Sequence, residues 1–319
     1  MNRSVGADLR VCPVERIFKP HFREDLMMNK TKTPDQKKPP WLKKRVSTGQ
    51  GYHRVVRLLR ECSLHTVCEE ALCPNLGECF SNGTATFMIL GEFCTRNCRF
   101  CAVNKGVPEP PDKEEPQKVA DAVKELGLRY AVITSVTRDD LPDGGSGHFA
   151  DTIRAIKHQN PETKVEVLIP DFQGSVGDLK TVVAAAPHVL NHNLETVPRL
   201  YPQVRPQADY HQSLTLIQRA VGMNPGLATK SGLMLGLGET REEVRQVLYD
   251  LLAAGCRLLT LGQYLAPSKS HHPVVEYVPP DTFNKWEKTA FEMGFQGVAS
   301  GPFVRSSFHA GEMFEKMKN

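Results

Sequence analysis

Seven of the nine cysteines in this chain, Cys62, Cys68, Cys73, Cys79, Cys94, Cys98 and Cys101, fall inside forty residues, and only Cys12 and Cys256 lie outside them. At 319 residues the chain can bury a large core without cross-links, so the cluster is not needed to staple the fold. In a long chain lacking an export signal, such clustering points to metal or redox chemistry before disulfides, because the cytosol keeps thiols reduced. Within it, Cys94-Thr95-Arg96-Asn97-Cys98-Arg99-Phe100-Cys101 sets three thiols at spacings of four and three, close enough for one loop to wrap a polynuclear cluster. Zinc closes its tetrahedron with a fourth nearby ligand, and a four-iron cluster also normally takes four cysteines. Three thiols without an evident fourth leave one iron open, a Lewis-acid position able to chelate a small molecule. A structural zinc loop is the competing reading.

From Thr84 onward, short apolar runs alternate with longer amphipathic segments. Strands are expected at Thr84 to Leu90, Tyr130 to Val136, Val165 to Pro170, Val189 to Leu194, Lys230 to Leu237 and Leu258 to Leu265. Helices are expected near Gln117 to Leu126, Gly147 to His158, Val176 to Ala186, Asp209 to Val221 and Glu242 to Ala254. Six strands alternating with helices imply parallel pairing through right-handed crossovers, an α/β fold curving into an open or closed barrel with sites at the strands' C-terminal ends. The expected organisation is a basic, flexible arm over 1–50, a cysteine-bearing segment over 51–83, the barrel over 84–300 and a C-terminal extension over 301–319.

Residues 1–50 hold 12 Lys/Arg against 5 Asp/Glu, leaving 28 against 31 beyond. This start lacks both the apolar stretch of a secretory signal and the acid-poor composition of an organelle leader, so a cytoplasmic location is expected. No apolar run approaches the roughly 18 residues of a bilayer span, which argues against an integral membrane protein. The arm reads either as disordered or as a docking surface for an acidic partner. Its basic run Lys37 to Arg45 has no recognised nucleic-acid motif beside it, so no nucleic acid is expected, and a clamp around Trp41 and Leu42 is preferred. Asp139, Asp140 and Asp143 lack the EF-hand spacing and its terminal glutamate, which disfavours calcium.

The CxxxCxxC spacing, with Phe100 before its last cysteine, resembles the signature of the radical S-adenosylmethionine (SAM) superfamily. The resemblance implies a partial (β/α)6 TIM-like barrel and a 4Fe-4S cluster on Cys94, Cys98 and Cys101 with SAM chelated at the open iron. It also implies reductive cleavage to a 5′-deoxyadenosyl radical, with the protein positioning the reactants and excluding water and oxygen. The run Gly232-Leu233-Met234-Leu235-Gly236-Leu237-Gly238-Glu239 is similar to the GxIxGxxE element that backs the adenine, making Gly236 and Glu239 expected SAM contacts. A plain strand-to-helix turn capped by Thr240 or Glu239 is the alternative. By position, Thr137 is expected near the SAM amino group, and Asn193 and Glu195 near its ribose or carboxylate, although short polar residues at strand ends also serve as turn formers.

A second triad, Cys68, Cys73 and Cys79, precedes the first expected strand, and its spacing fits neither a zinc finger nor a CxxC redox pair. Together with the first triad, the Arg138 to Gly145 run RDDLPDGG and the Arg305-Ser306-Ser307-Phe308-His309-Ala310 run, it makes the chain from Pro40 onward resemble the lipoyl synthase family. The resemblance implies a second 4Fe-4S cluster on Cys68, Cys73 and Cys79, with a serine oxygen of a C-terminal RSSY element as fourth ligand. By position that is Ser307, with Ser306 the alternative. Phe308 stands where the family usually carries tyrosine, which puts in question any hydrogen bond around that cluster but not the ligating hydroxyl.

The implied reaction inserts two sulfur atoms, at C6 and C8, into an octanoyl group amide-linked to a carrier lysine, with the second cluster as sulfur donor. Alkyl carbon-hydrogen bonds offer no acidity to exploit, so no Ser/His/Asp constellation is expected. Arg305 either neutralises the second cluster or holds carbonyl oxygens of the incoming peptide, with a surface ion pair as the alternative; His309 is open in the same way. Implied partners are octanoylated carriers (lipoyl domains of 2-oxoacid dehydrogenases and the glycine cleavage H protein), a ferredoxin- or flavodoxin-like electron donor, and a cluster-repair protein. Cys12, Cys62 and Cys256 are expected to ligate nothing. The competing functions are a methylthiotransferase-like radical SAM enzyme and a non-catalytic zinc or electron-transfer protein.

Overall fold

A computed structural model describes residues 37–44 and 49–318. The expectations for residues 1–36 and 45–48, including Cys12 and most of the basic arm, lie outside the described residues. The chain enters through helix α1 (Gln50–Glu61), a two-residue strand β1 (His65–Thr66) and two short helices, α2 (Val67–Glu70) and α3 (Leu76–Ser81). Strand β2 (Thr86–Ile89) then opens a βα alternation: α4 (Glu115–Leu126), β3 (Tyr130–Ser135), α5 (Ser146–Gln159), β4 (Lys164–Leu168), α6 (Val176–Ala184) and β5 (Val189–Asn191). It continues through α7 (Tyr201–Val204), α8 (Tyr210–Met223), β6 (Ala228–Leu235), α9 (Arg241–Ala253), β7 (Leu258–Gln263), α10 (Pro280–Met293), β8 (Gly297–Gly301) and α11 (Ala310–Lys318).

The eight strands pair in chain order, β1 antiparallel to β2 and every later neighbour parallel. The six expected strands are β2 to β7, and the structure adds β8 to the parallel set. Strand β8 reads Gly297-Val298-Ala299-Ser300-Gly301, too short and too glycine-rich for a local strand signal. It forms because β7 offers a complete edge, in register from Leu258 opposite Gly297 to Gly262 opposite Gly301.

Helix boundaries follow local chemistry. Thr240 and Glu243 close a reciprocal capping box at the start of α9, and Asp209 caps α8 through the Gln212 N–H. Apolar faces of α4, α5 and α6 pack on β2 to β4, and those of α9 and α10 on β6 and β7. The helix α11 turns back to the opposite end of the barrel. There Met313 and Phe314 pack with Val189, Ala228 and Leu258, each at or next to the first residue of its strand, so α11 closes the floor. Above it lies a buried polar layer: Lys230 pairs with Glu166 at 2.9 Å, and the Glu166 carboxylate also accepts from Tyr130 Oη at 2.6 Å and Asn191 Nδ2 at 3.3 Å. Both charges are fully buried, so each depends on the other and on these donors for its solvation. With the floor sealed, the strands' C-terminal ends are left to form a site. Among the described residues no helix is long and apolar enough to cross a membrane.

Candidate active site

A cavity of about 480 Å³ opens at the C-terminal ends of the strands, and residues of both cysteine triads line it. The loop carrying Cys94, Cys98 and Cys101 leaves β2 through left-handed turns at Leu90 (φ 70°) and Gly91 (φ 88°). Leu90 is fixed from both sides, its N–H donating to the Glu115 carboxylate at 2.8 Å and its carbonyl accepting from Arg138 at 3.1 Å. The loop is then stitched across the barrel mouth. Cys94 N–H donates to the Asn104 carbonyl at 2.8 Å, Arg99 N–H to the Val204 carbonyl at 2.8 Å, and the Thr137 N–H reaches Cys94 Sγ at 3.4 Å. A His271 ring nitrogen sits 3.1 Å from the Cys101 carbonyl. Arg96, inside the motif, bridges Asp139 (2.6 Å) and Asp171 (2.6 Å), locking the loop to the ends of β3 and β4. Asp139 and Asp140 thus meet arginines, Asp140 pairing with Arg138 at 2.9 Å, and no cation site is needed to explain them.

The second triad sits on the short helices before β2. Cys68 lies in α2, Cys73 follows it, and Cys79 lies in α3; Cys73 N–H donates to the Cys68 carbonyl at 3.0 Å and Cys79 N–H to the Asn75 carbonyl at 2.9 Å. Over this segment runs residues 301–308. Gly262 on β7 makes room for them, because a Cβ there would collide with the Val304 carbonyl. Asn75 Nδ2 donates to the Phe303 carbonyl at 2.7 Å. Lys44 donates to Asn75 Oδ1 at 2.6 Å, pairs with Glu78, and lies 5.1 Å and 5.3 Å from the ring centroids of Phe303 and Phe308.

The thiols are electrostatically incomplete. Burial, followed by the neighbouring Cys73 charge, pushes Cys68 up to about 12, and the same two causes push Cys79 up to about 11. Burial likewise pushes Cys101 up to about 12 and raises Cys98, against the pull of Arg205 on the latter. Thiols raised by burial, two in each triad, are donors that a cationic metal centre completes, because the metal supplies the charge that ionises them. Among the described residues no group of three or more His, Cys, Asp or Glu is placed to share a single metal ion.

Thr137, Asn193, Glu195, Arg305 and Ser307 all line the cavity. Burial raises the Glu195 carboxyl against the opposing charge of Arg205. Arg305 is inside the cavity and not in a surface ion pair; its Nη1 donates to the Val304 carbonyl at 2.6 Å, burial lowers its pKa, and the charges that pull it back up are Cys73 and Glu195. His309, by contrast, is an exposed partner of Glu312 at 2.6 Å. Gly236 and Glu239 are not on the cavity wall. Glu239 accepts from the Gly236 N–H at 2.6 Å and the Leu237 N–H at 2.9 Å, while Gly236 (φ 98°) packs against the Glu276 carbonyl. Their visible work is to shape the turn from β6 into α9.

Residues 88–251 match the Radical SAM superfamily, and residues 14–73 match the N-terminal domain of lipoyl synthase of that superfamily. A lipoyl synthase of Caldicellulosiruptor saccharolyticus is 57% identical over 276 residues, covering 86% of this chain and 97% of that one. A lipoyl synthase of Rubrobacter xylanophilus is 56% identical over 278 residues, 87% of each chain. The chain belongs to the lipoyl synthase family. It is an enzyme of the radical SAM superfamily, whose members use a 4Fe-4S cluster and SAM. Solved structures share the fold: HydG, a maturase of the [FeFe]-hydrogenase, at TM-score 0.53 and 17% identity over 77% of this chain and 62% of that one. Streptococcus suis SuiB bound to S-adenosylmethionine follows at 0.51 and 11%, over 76% and 57%.

The cavity suits the cofactors of the radical SAM superfamily. Five buried side-chain polar atoms among the described residues have no hydrogen-bond partner, and Ser135 Oγ, Asn191 Oδ1, Asn193 Oδ1 and Arg205 Nε belong to residues that line the cavity. Buried polar atoms are costly when unpaired, so four around one cavity mark where a polar ligand belongs. Asn191 and Arg205 went unnoticed in the sequence, as did the roles of Arg96, Asp171 and Asn75. Arg96, a charge inside a buried cysteine motif, was the one with a readable signal.

Proposed function

We propose that this lipoyl synthase family member inserts two sulfur atoms, at C6 and C8, into a protein-bound octanoyl-lysine group, drawing the sulfur from a second 4Fe-4S cluster. The observation that carries the reading is that Cys98, Cys73, Arg305 and Ser307 line one cavity. Cys94, Cys98 and Cys101 would hold the first cluster; Thr137, Asn193 and Glu195 would contact SAM, and Gly236 and Glu239 would support it by shaping the adjoining turn. Cys68, Cys73, Cys79 and Ser307 would hold the second cluster, a substrate because its sulfur leaves in the product. Alkoxide is a harder ligand than thiolate and can be protonated and lost, which suits Ser307 to a cluster that must come apart.

When bound, the first cluster and SAM supply the 5′-deoxyadenosyl radical that an unactivated carbon-hydrogen bond demands. The chain supplies the rest. Met88, Val132, Leu168 and Leu233 on the cavity wall offer an apolar, water-excluding surface for an alkyl chain. Arg305 lines the cavity together with Cys73 and Glu195, whose charges both favour its cationic form, and so links the two halves. Octanoylated lipoyl carrier proteins are the proposed partners, with a small electron-transfer protein as reductant and a separate protein rebuilding the second cluster. A cytoplasmic setting belongs to the same proposal.

The test is an anaerobic incubation with an octanoyl-lysyl peptide, SAM and a reductant, using enzyme reconstituted with heavy-isotope sulfide. The peptide should gain two sulfur atoms carrying the label. A product with unlabelled sulfur, or peptide left unchanged while SAM is cleaved, would reject the donor assignment.

A further inference from the structure

Two adjacent serines stand at the seam between the triads, and only one of them has a hydrogen bond that fixes its direction. Asn193 Nδ2 donates to Ser306 Oγ at 2.6 Å, across 113 residues, and to Glu195 Oε1 at 3.0 Å. Both Ser306 Oγ and Glu195 Oε1 thus face the Nδ2 end of the Asn193 amide. The Asn193 oxygen is then left buried without a partner on the cavity wall. One side chain thus holds the C-terminal run with its donors and offers its acceptor to a ligand.

The run itself is a turn, with Phe308 N–H donating to the Arg305 carbonyl at 3.0 Å and Ala310 N–H to the Ser307 carbonyl at 3.4 Å. Val304, one step earlier, is held against Gly262, and Phe303 is held by Asn75. Between these fixed points, the lateral position of Ser306 is set by Asn193. Ser307 is the next residue, so what Asn193 does to Ser306 it does to Ser307 within one peptide unit.

We infer that Ser306 is a positioning residue that couples the two halves of the site: a donor group bound at the Asn193 oxygen sets, through the Asn193–Ser306 hydrogen bond, where Ser307 stands. The inference rests on the proposed function in taking Ser307 as the ligand of the second cluster. The hydroxyl of Ser306 is already committed to the radical-forming half, which assigns the two serines different tasks.

The test compares Ser306→Ala, Ser306→Thr and Ser307→Ala with the wild type, all as holoenzymes. Adding SAM to the wild type should change the Mössbauer signature of the second cluster. In Ser306→Ala that cluster should be present but unresponsive, SAM binding should weaken by about three- to tenfold, the scale of one lost hydrogen bond, and 5′-deoxyadenosine formed per sulfur inserted should rise. Ser306→Thr, which keeps the hydroxyl, should restore all three. Loss of the second cluster in Ser306→Ala but not in Ser307→Ala would reverse the assignment, and a wild-type response that survives in Ser306→Ala, or is absent from the wild type, would overturn the coupling. A wild type without any second cluster would reject the proposed function instead; the coupling would then fall with it, while an alanine defect in SAM binding repaired by threonine would still establish the Ser306 tether.

Discussion

The two triads each hold three thiols, but in opposite ways. Cys94, Cys98 and Cys101 ride on a loop tied to the ends of β3 and β4, to the segment after β5 and to the loop after β7, through backbone hydrogen bonds and a buried arginine with two aspartates. Cys68, Cys73 and Cys79 lie on or beside short helices before the barrel, where Asn75 and Lys44 tie them to the covering run, and the Asn75 bond spans 228 residues of sequence. A centre that stays through every turnover is served by the first kind of frame. One that must be opened and rebuilt is served by the second, because a seam between distant parts of a chain can part without unfolding the barrel.

The largest effect separates the triads outright. Replacing Cys98 by alanine should reduce both 5′-deoxyadenosine and sulfur-inserted product to background. Cys73→Ala should still cleave SAM while yielding no sulfur-inserted peptide, both read by mass spectrometry of one reaction. If Cys73→Ala retains sulfur insertion, the two triads do not divide the labour and the comparison fails.

Next in size is the rigid frame. Burial would raise the Asp171 carboxyl, but the Arg96 hydrogen bonds and charge outweigh it and hold it at about 2. A carboxylate depressed in the folded state adds stability above its unfolded pKa, and that contribution fades as pH falls from about 4 towards 2. Asp171→Asn should therefore cost about 3 kcal/mol at neutral pH, the low end for removing one partner of a buried ion pair, since Asp139 keeps its own hold on Arg96. Denaturant unfolding should show wild type and variant converging at the acid end. A neutral-pH difference well under 1 kcal/mol would mean that the loop is not held as the geometry implies.

Legibility in the sequence followed the same division. Strands β2 to β7 are readable because each carries its own apolar run, and the cysteines because metal chemistry demands particular side chains at particular spacings. Strand β8 and the floor helix α11 are not, since Gly297 to Gly301 has no strand character of its own and Phe314 shows its purpose only against Tyr130 and Val189. The Gly236 and Glu239 motif was visible, but its hydrogen bonds serve the backbone turn in the described structure. Arg96 with Asp171 and Asn193 with Ser306 are pairings made by topology, and no local pattern announces which distant residue will answer.

The smallest effects probe the seam. Lys44→Met removes a hydrogen bond to buried Asn75 and the cation facing two rings, a loss on the order of 1 to 2 kcal/mol. Iron release from the second cluster to a chelator should then quicken about 5- to 30-fold. Phe308→Tyr tests what the hydroxyl usual at this position in the family would add. Tyrosine keeps the ring face that Lys44 uses, so the release rate should stay within about twofold, matching the ±0.5 kcal/mol of a substitution that leaves its contacts intact. Should tyrosine instead slow release tenfold while Lys44→Met changes nothing, closure would depend on a hydroxyl this chain lacks, and Lys44 would be a surface cation with no part in it.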